Sequence, residues 1–256
     1  MKRILTLLAL AAPLALAAAP TLAQDLPPGL RAAELRPGWV DADGSRVVAL
    51  HLTLEPGWKT YWKSPGDAGI PPQFDWSGAV TADYLWPRPE VIDSGGERTF
   101  GYHDELVLPV RLQMADPHQP VSLTVDFGLC EDVCVPAHSV LQAPAAQTAP
   151  DPLIQAALAR QPDDSHARMT CRVEPISDGL RVTASLPAGL AAQAAAITMD
   201  DDSVWVSAAD LDQQGDMAIA SADLVDASGA PFALDGSKLA LTLLAPDGAV
   251  QAKGCD

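Results

Sequence analysis

Val121-Ser122-Leu123-Thr124-Val125-Asp126-Phe127-Gly128-Leu129-Cys130-Glu131-Asp132-Val133-Cys134-Val135-Pro136 is the stretch from which the rest of the chain can be read. Its first seven residues alternate apolar and polar, the period of a strand with one face buried, and Gly128 and Pro136 bracket two cysteines with backbone punctuation. The pair Cys130/Cys134 therefore stands at a strand end. A thioredoxin-type site has two residues between its cysteines and opens a helix. Neither condition holds, so any redox chemistry here uses another scaffold.

Working outward, residues 30–141 read as short strands broken by Gly, Pro and Asp. Ser45–Leu54 and Glu105–Met114 are the clearest. Pro109 marks the latter as an edge strand or a bulge, because proline brings no N–H to a ladder. Between them, Trp58, Trp62 and Trp76 crowd a turn-rich segment, and Trp86 follows. The rings either fill a sandwich core or line a groove that grips a partner's loop. Ala143–Pro150 contains little that packs and reads as a linker. Asp151-Pro152 then supplies an N-cap and a first-turn proline for a short helix that Pro162 stops. From Met169 onward, alternation returns in Arg181–Leu186, Ser203–Val206, Met217–Ala220 and Lys238–Leu243. The expected architecture is all-β: two immunoglobulin-like sandwiches, 24–142 and 169–256, joined over 143–168 by a linker with one helix. Trp205 and Phe232 are the main aromatics of the second sandwich, so its core must be aliphatic and thin.

Lys2 and Arg3 precede an apolar run to Ala19 and the small-residue exit Thr21-Leu22-Ala23, the pattern of a cleaved secretory leader over residues 1–23. No later stretch reaches the about 18 apolar residues of a spanning helix. Losing the leader moves the formal charge from −17 to −19, which argues against nucleic acid as a partner. Export places the four cysteines where disulfides persist.

The two cysteine pairs differ in the loop each closes. Cys171 and Cys255 stand at opposite ends of the second sandwich. Bonded, they would contribute about 4 to 5 kcal/mol on the chain-entropy model. A Cys130–Cys134 bond removes far less unfolded-state entropy, which makes it a poor staple and a better candidate for being made and broken. Glu131 and Asp132 disfavour a thiolate between them. The competing readings are a passive hairpin bridge in a scaffold sandwich and a Cu(I) or Zn site of Cys130, Cys134 and His138, which a helix would place on one face. Pro136, Val133 and Val135 oppose that helix. His103 is either a base or ligand or an ordinary loop residue.

Gly57-Trp58-Lys59-Thr60-Tyr61-Trp62, Ser64-Pro65-Gly66-Asp67-Ala68-Gly69, Phe100-Gly101-Tyr102, Leu108-Pro109-Val110 and Cys130–Pro136 together resemble the periplasmic N-terminal domain of the DsbD and ScsB thiol:disulfide interchange proteins, over residues 30–142. The resemblance implies an immunoglobulin-like domain that needs no cofactor. It takes electrons from a membrane-embedded donor of the DsbD, ScsB or CcdA type and passes them to oxidised periplasmic thioredoxin-like or substrate proteins. It further implies that Cys134 attacks, Cys130 resolves, and a loop holding Phe100 and Tyr102 caps the pair. Full-length members continue into a transmembrane and a thioredoxin-like domain that this sequence lacks, so the donor would be a separate protein. ScsB relatives are associated with copper tolerance, which keeps a Cu(I)-binding role as the alternative.

Overall fold

The computed structural model describes residues 26–187, 189–201 and 203–255. The expected leader, residues 1–23, lies outside them. No helix among the described residues is long and apolar enough to cross a membrane.

The first half contains β1 (Leu30–Val40), β2 (Arg46–Leu54), β3 (Lys59–Tyr61), β4 (Gln73–Ser77), β5 (Thr81–Tyr84), β6 (Glu90–Ser94), β7 (Glu97–His103), β8 (Glu105–Gln113), β9 (Val121–Cys130) and β10 (Cys134–Ala143). One sheet runs β1-β2-β8-β5, and the facing one runs β10-β9-β3-β7-β6, with β4 also on β9. Period-two alternation sends Val121, Leu123, Val125, Phe127 and Leu129 of β9 into the core between them. Trp62 and Trp86 lie in that core, and Trp58 and Trp76 pack against it, so the tryptophan-rich segment serves packing. β8 is an internal strand, which corrects the edge assignment for Pro109. The Leu85 N–H donates to the Pro109 carbonyl one residue after β5 ends. A strand residue's N and O point to the same side, so the missing N–H faces a place where the ladder has already stopped.

Helix α1 (Pro152–Leu158) follows, capped by Asp151, whose carboxylate accepts from the Leu153 N–H at 2.9 Å. Ile154 and Ala157 pack on Trp39, Val47, Ala49 and Val107, the outer face of the first sheet. Hence β2 is buried on both faces over its apolar run Val47–Leu50. Arg36 of β1 donates from Nε to the Asp151 carboxylate at 2.8 Å. The linker, poor in packing residues over Ala143–Pro150, is therefore fastened to the first half by its helix.

The second half contains β11 (Asp163–Asp164), β12 (Thr170–Pro175), β13 (Leu180–Pro187), β14 (Ala194–Met199), β15 (Val204–Val206), β16 (Asp210–Gln214), β17 (Met217–Asp226), β18 (Leu239–Ala245) and β19 (Gly248–Lys253). Its sheets are β11-β19-β18-β14 and β12-β13-β17-β15, with β16 also on β17. The core is aliphatic, from Met169, Leu180, Val182, Leu186, Ile197, Leu224, Leu241 and Leu243 with several alanines. Trp205 stays outside it, 54% exposed. Cys171 of β12 and Cys255, just beyond β19, are bonded with their Cα atoms 5.5 Å apart, which ties one sheet to the other. β14 has two apolar faces. Ala195 and Ile197 enter the second core, while Ala194 and Ala196, with Leu244 and Ala249, join the apolar cluster of the first half. The two sandwiches thus share an apolar contact.

Candidate functional site

β9 and β10 form a hairpin whose last paired residues are Cys130 and Cys134, directly opposite each other with Cα atoms 4.1 Å apart and bonded through sulfur. Such a close approach is that of a non-hydrogen-bonded antiparallel pair, the position at which side chains meet. Glu131, Asp132 and Val133 make the connection and are exposed, Val133 to 72%. Cys130 is buried at 5%, whereas Cys134 is exposed. Cys134 is therefore the more accessible residue of the pair.

Alternation fixes which face of the sheet carries the bond. Leu129 and Phe127 point into the core, so Gly128 and Cys130 point outward. Lys59 pairs with Cys130 and Thr60 with Leu129, which puts Lys59 and Tyr61 on the outer face and Trp62 inside. The Tyr61 hydroxyl lies 3.0 Å from the Cys134 sulfur although its residue is only 2% exposed. Desolvation raises the Tyr61 pKa above the ordinary phenol value, so the group stays protonated at neutral pH and can donate to a thiolate forming on Cys134. That donation opposes the effect of Glu131 and Asp132. Gly128 makes the arrangement possible: a Cβ there would stand 2.7 Å from the Ile70 Cβ and 2.9 Å from the Tyr61 ring. Tyr61 and Ile70 therefore cover the outer face beside the disulfide.

Phe100 and Tyr102 do not. They lie on β7, not on a loop, and Tyr102 pairs with Thr60, an inward-facing residue. Both rings point into the core, on the opposite side of the sheet from the disulfide, where Phe100 meets Trp62 edge-on at 6.1 Å and Tyr102 stacks on Trp86 at 6.4 Å. The Tyr102 hydroxyl donates to the Pro87 carbonyl. Apolar burial outweighs the mobility a cap would need, and the expected cap is corrected to a pair of core residues. Tyr61, which touches the Cys134 sulfur, and Ile70, which packs on Gly128, belong to the stretch read above for its tryptophans. Tyr61 was reachable by alternation from Trp62, once Trp62 is placed inside.

The histidines stand apart from the pair. His138 is four residues along a strand from Cys134, about 13 Å away at strand rise, and bonds Asp126 at 2.8 Å. The three-ligand cluster of Cys130, Cys134 and His138 needed a helix, and the segment is a strand. His103 ends β7 and bonds Glu90 at 2.7 Å. No group of three or more His, Cys, Asp or Glu side chains converges as a metal site among the described residues.

Residues 26–146 match the family model described as thiol:disulfide interchange protein DsbD, N-terminal. No curated protein matches the chain. Among solved structures, the N-terminal periplasmic domain of ScsB from Proteus mirabilis aligns with 84% of this chain and 89% of its own, at 24% identity and a TM-score of 0.59. That span exceeds the first sandwich and extends the shared fold into the second. The reduced N-terminal domain of DsbD from Neisseria meningitidis aligns with 46% of this chain and 86% of its own at 18% identity, with a TM-score of 0.30, too slight a likeness to carry a conclusion. Residues 26–146 are therefore a DsbD N-terminal-like domain.

Proposed function

We propose that this protein is a periplasmic thiol-disulfide exchange protein that relays electrons through Cys130 and Cys134. The donor is a membrane-embedded protein of the DsbD, ScsB or CcdA type, and the acceptors are oxidised periplasmic thioredoxin-like or substrate proteins. The observation that carries the proposal is the asymmetry of the hairpin disulfide, one cysteine exposed and the other buried, in a domain similar to this family.

In the reduced protein the Cys134 thiolate, stabilised by the Tyr61 hydroxyl, attacks one sulfur of an acceptor disulfide. The acceptor's other sulfur leaves as a thiolate, and a mixed disulfide to Cys134 remains. Cys130 loses its proton and attacks the Cys134 sulfur, expelling the acceptor's second thiolate and reforming the Cys130–Cys134 bond. Two electrons have passed to the acceptor. A donor dithiol restores the pair by the same steps in reverse, attacking Cys134 first. The covered face slows generic thiols, and selectivity comes from docking around the hairpin.

Trapping in the native cell tests this reading. Cys130→Ser should accumulate mixed disulfides through Cys134, because no resolving thiol remains. Cys134→Ser should accumulate few. Equal trapping by both variants, or none by either, overturns the proposal.

A further inference from the structure

The loop that follows Tyr61 runs from Trp62 to Pro72 and is held at three points. At its base the Phe100 N–H donates to the Pro65 carbonyl, at 3.0 Å. At its bend the Gly69 N–H donates to the Gly66 carbonyl at 3.2 Å, with Gly66 at φ +85°, a left-handed conformation suited to glycine. At its tip the Asp67 carboxylate accepts from the backbone N–H of Ala208, 2.8 Å away in the second sandwich. Ala208 is itself in a fixed segment, since Ser207 exchanges two hydrogen bonds with Asp223 of β17. Across this loop, Gly69 lies against the Tyr61 ring and Ile70 against Gly128. Those contacts cover the outer face of the sheet at Gly128, two residues before Cys130 on the same face.

We infer that Asp67 is a positioning residue through which the second sandwich holds the Trp62–Pro72 loop over Cys130, so that only the Cys134 sulfur is open to attack. Release of the tip lets the Gly69–Ile70 arm lift from Tyr61 and Gly128, and the buried sulfur becomes reachable. The second sandwich is then part of the redox site's selectivity, although it supplies no reacting atom. Cys134 is exposed and borders the Tyr61 hydroxyl rather than the arm, so its access does not depend on release.

The inference rests on the exchange reading for its meaning, but its test needs no redox partner, so each can fail without the other. In the full chain with Cys171–Cys255 intact, the Cys134→Ser background leaves Cys130 as a lone thiol, and Cys130→Ser leaves Cys134. Alkylation by iodoacetamide is irreversible and reports access to each sulfur. Asp67→Ala should speed alkylation of Cys130 by about threefold, as loss of one exposed hydrogen bond allows, and leave Cys134 within error. Asp67→Asn removes the same charge yet keeps an accepting oxygen, so it should stay near the parent rate. An unchanged Cys130 rate in Asp67→Ala overturns the inference. So does an equal acceleration by Asp67→Asn, which would assign the effect to charge rather than to the latch.

Discussion

The molecule carries two disulfides in two sandwiches, and they differ in almost every physical respect. Cys171–Cys255 spans 84 residues, joins the two sheets of a thin aliphatic core and lies far along the chain from any other cysteine. Cys130–Cys134 spans four, joins neighbouring strands already paired by a ladder and sits over a core rich in aromatic rings. On the chain-entropy model the first stabilises by about 4 to 5 kcal/mol and the second by about 2. The sandwich with the better core holds the bond it needs less. A disulfide that fold stability can spare is free to be opened and closed.

The largest effect should come from removing the long bond. Cys171→Ala with Cys255→Ala should lower unfolding stability by about 4 to 5 kcal/mol, read as a fall in the urea midpoint. Cys130→Ala with Cys134→Ala should cost about 2 kcal/mol or less. Equal losses would erase the contrast between the two bonds.

Gly128→Ala sharpens the contrast from the side of the small bond. The added methyl meets Ile70 and Tyr61 at distances no real Cβ tolerates, and relief of such crowding costs about 1 to 3 kcal/mol. The displaced tyrosine should also slow exchange at Cys134. Tyr61→Phe isolates that second part: without the hydroxyl, exchange with a small disulfide should slow by about tenfold, the value of one hydrogen bond to a charged sulfur, with little change in stability. A rate that does not move removes Tyr61 from the mechanism.

The smallest effect belongs to the joint. Burial pushes the Asp151 carboxyl upward, but the Arg36 guanidinium and the capped helix N–H groups outweigh it and hold the pKa below the usual aspartate value. A carboxyl depressed in the folded state stabilises fully above its unfolded pKa and loses that contribution as pH falls through the folded one. Asp151→Ala should therefore cost about 1 kcal/mol at neutral pH, a penalty that shrinks in urea titrations below the ordinary aspartate range. A penalty independent of pH would mean that packing, not the charge, fastens the helix.

Much of this was legible in the sequence. The alternation of Val121–Phe127 gave the core face of β9, and Asp151-Pro152 gave the start of α1, because both signals are local. Pro109 misled because its strand is internal while its own missing donor faces the end of β5, a fact of tertiary register. Phe100 and Tyr102 misled for a related reason. Both lie in the same sheet as the cysteines, but parity in a ladder puts them on the far face, and that parity is set by pairing with β3, which no local pattern announces. The Asp67–Ala208 contact joins residues 141 positions apart and had no sequence signal at all.

The most direct test of the central claim is to equilibrate the whole protein in glutathione buffers of stepped potential, alkylate, and map the modified cysteines by mass. The account predicts that Cys130 and Cys134 open together at a potential above about −300 mV, while Cys171 and Cys255 stay bonded in the folded protein. If both pairs open together, or if the Cys130–Cys134 bond opens only when the protein unfolds, the hairpin disulfide is a scaffold element and the relay account is contradicted.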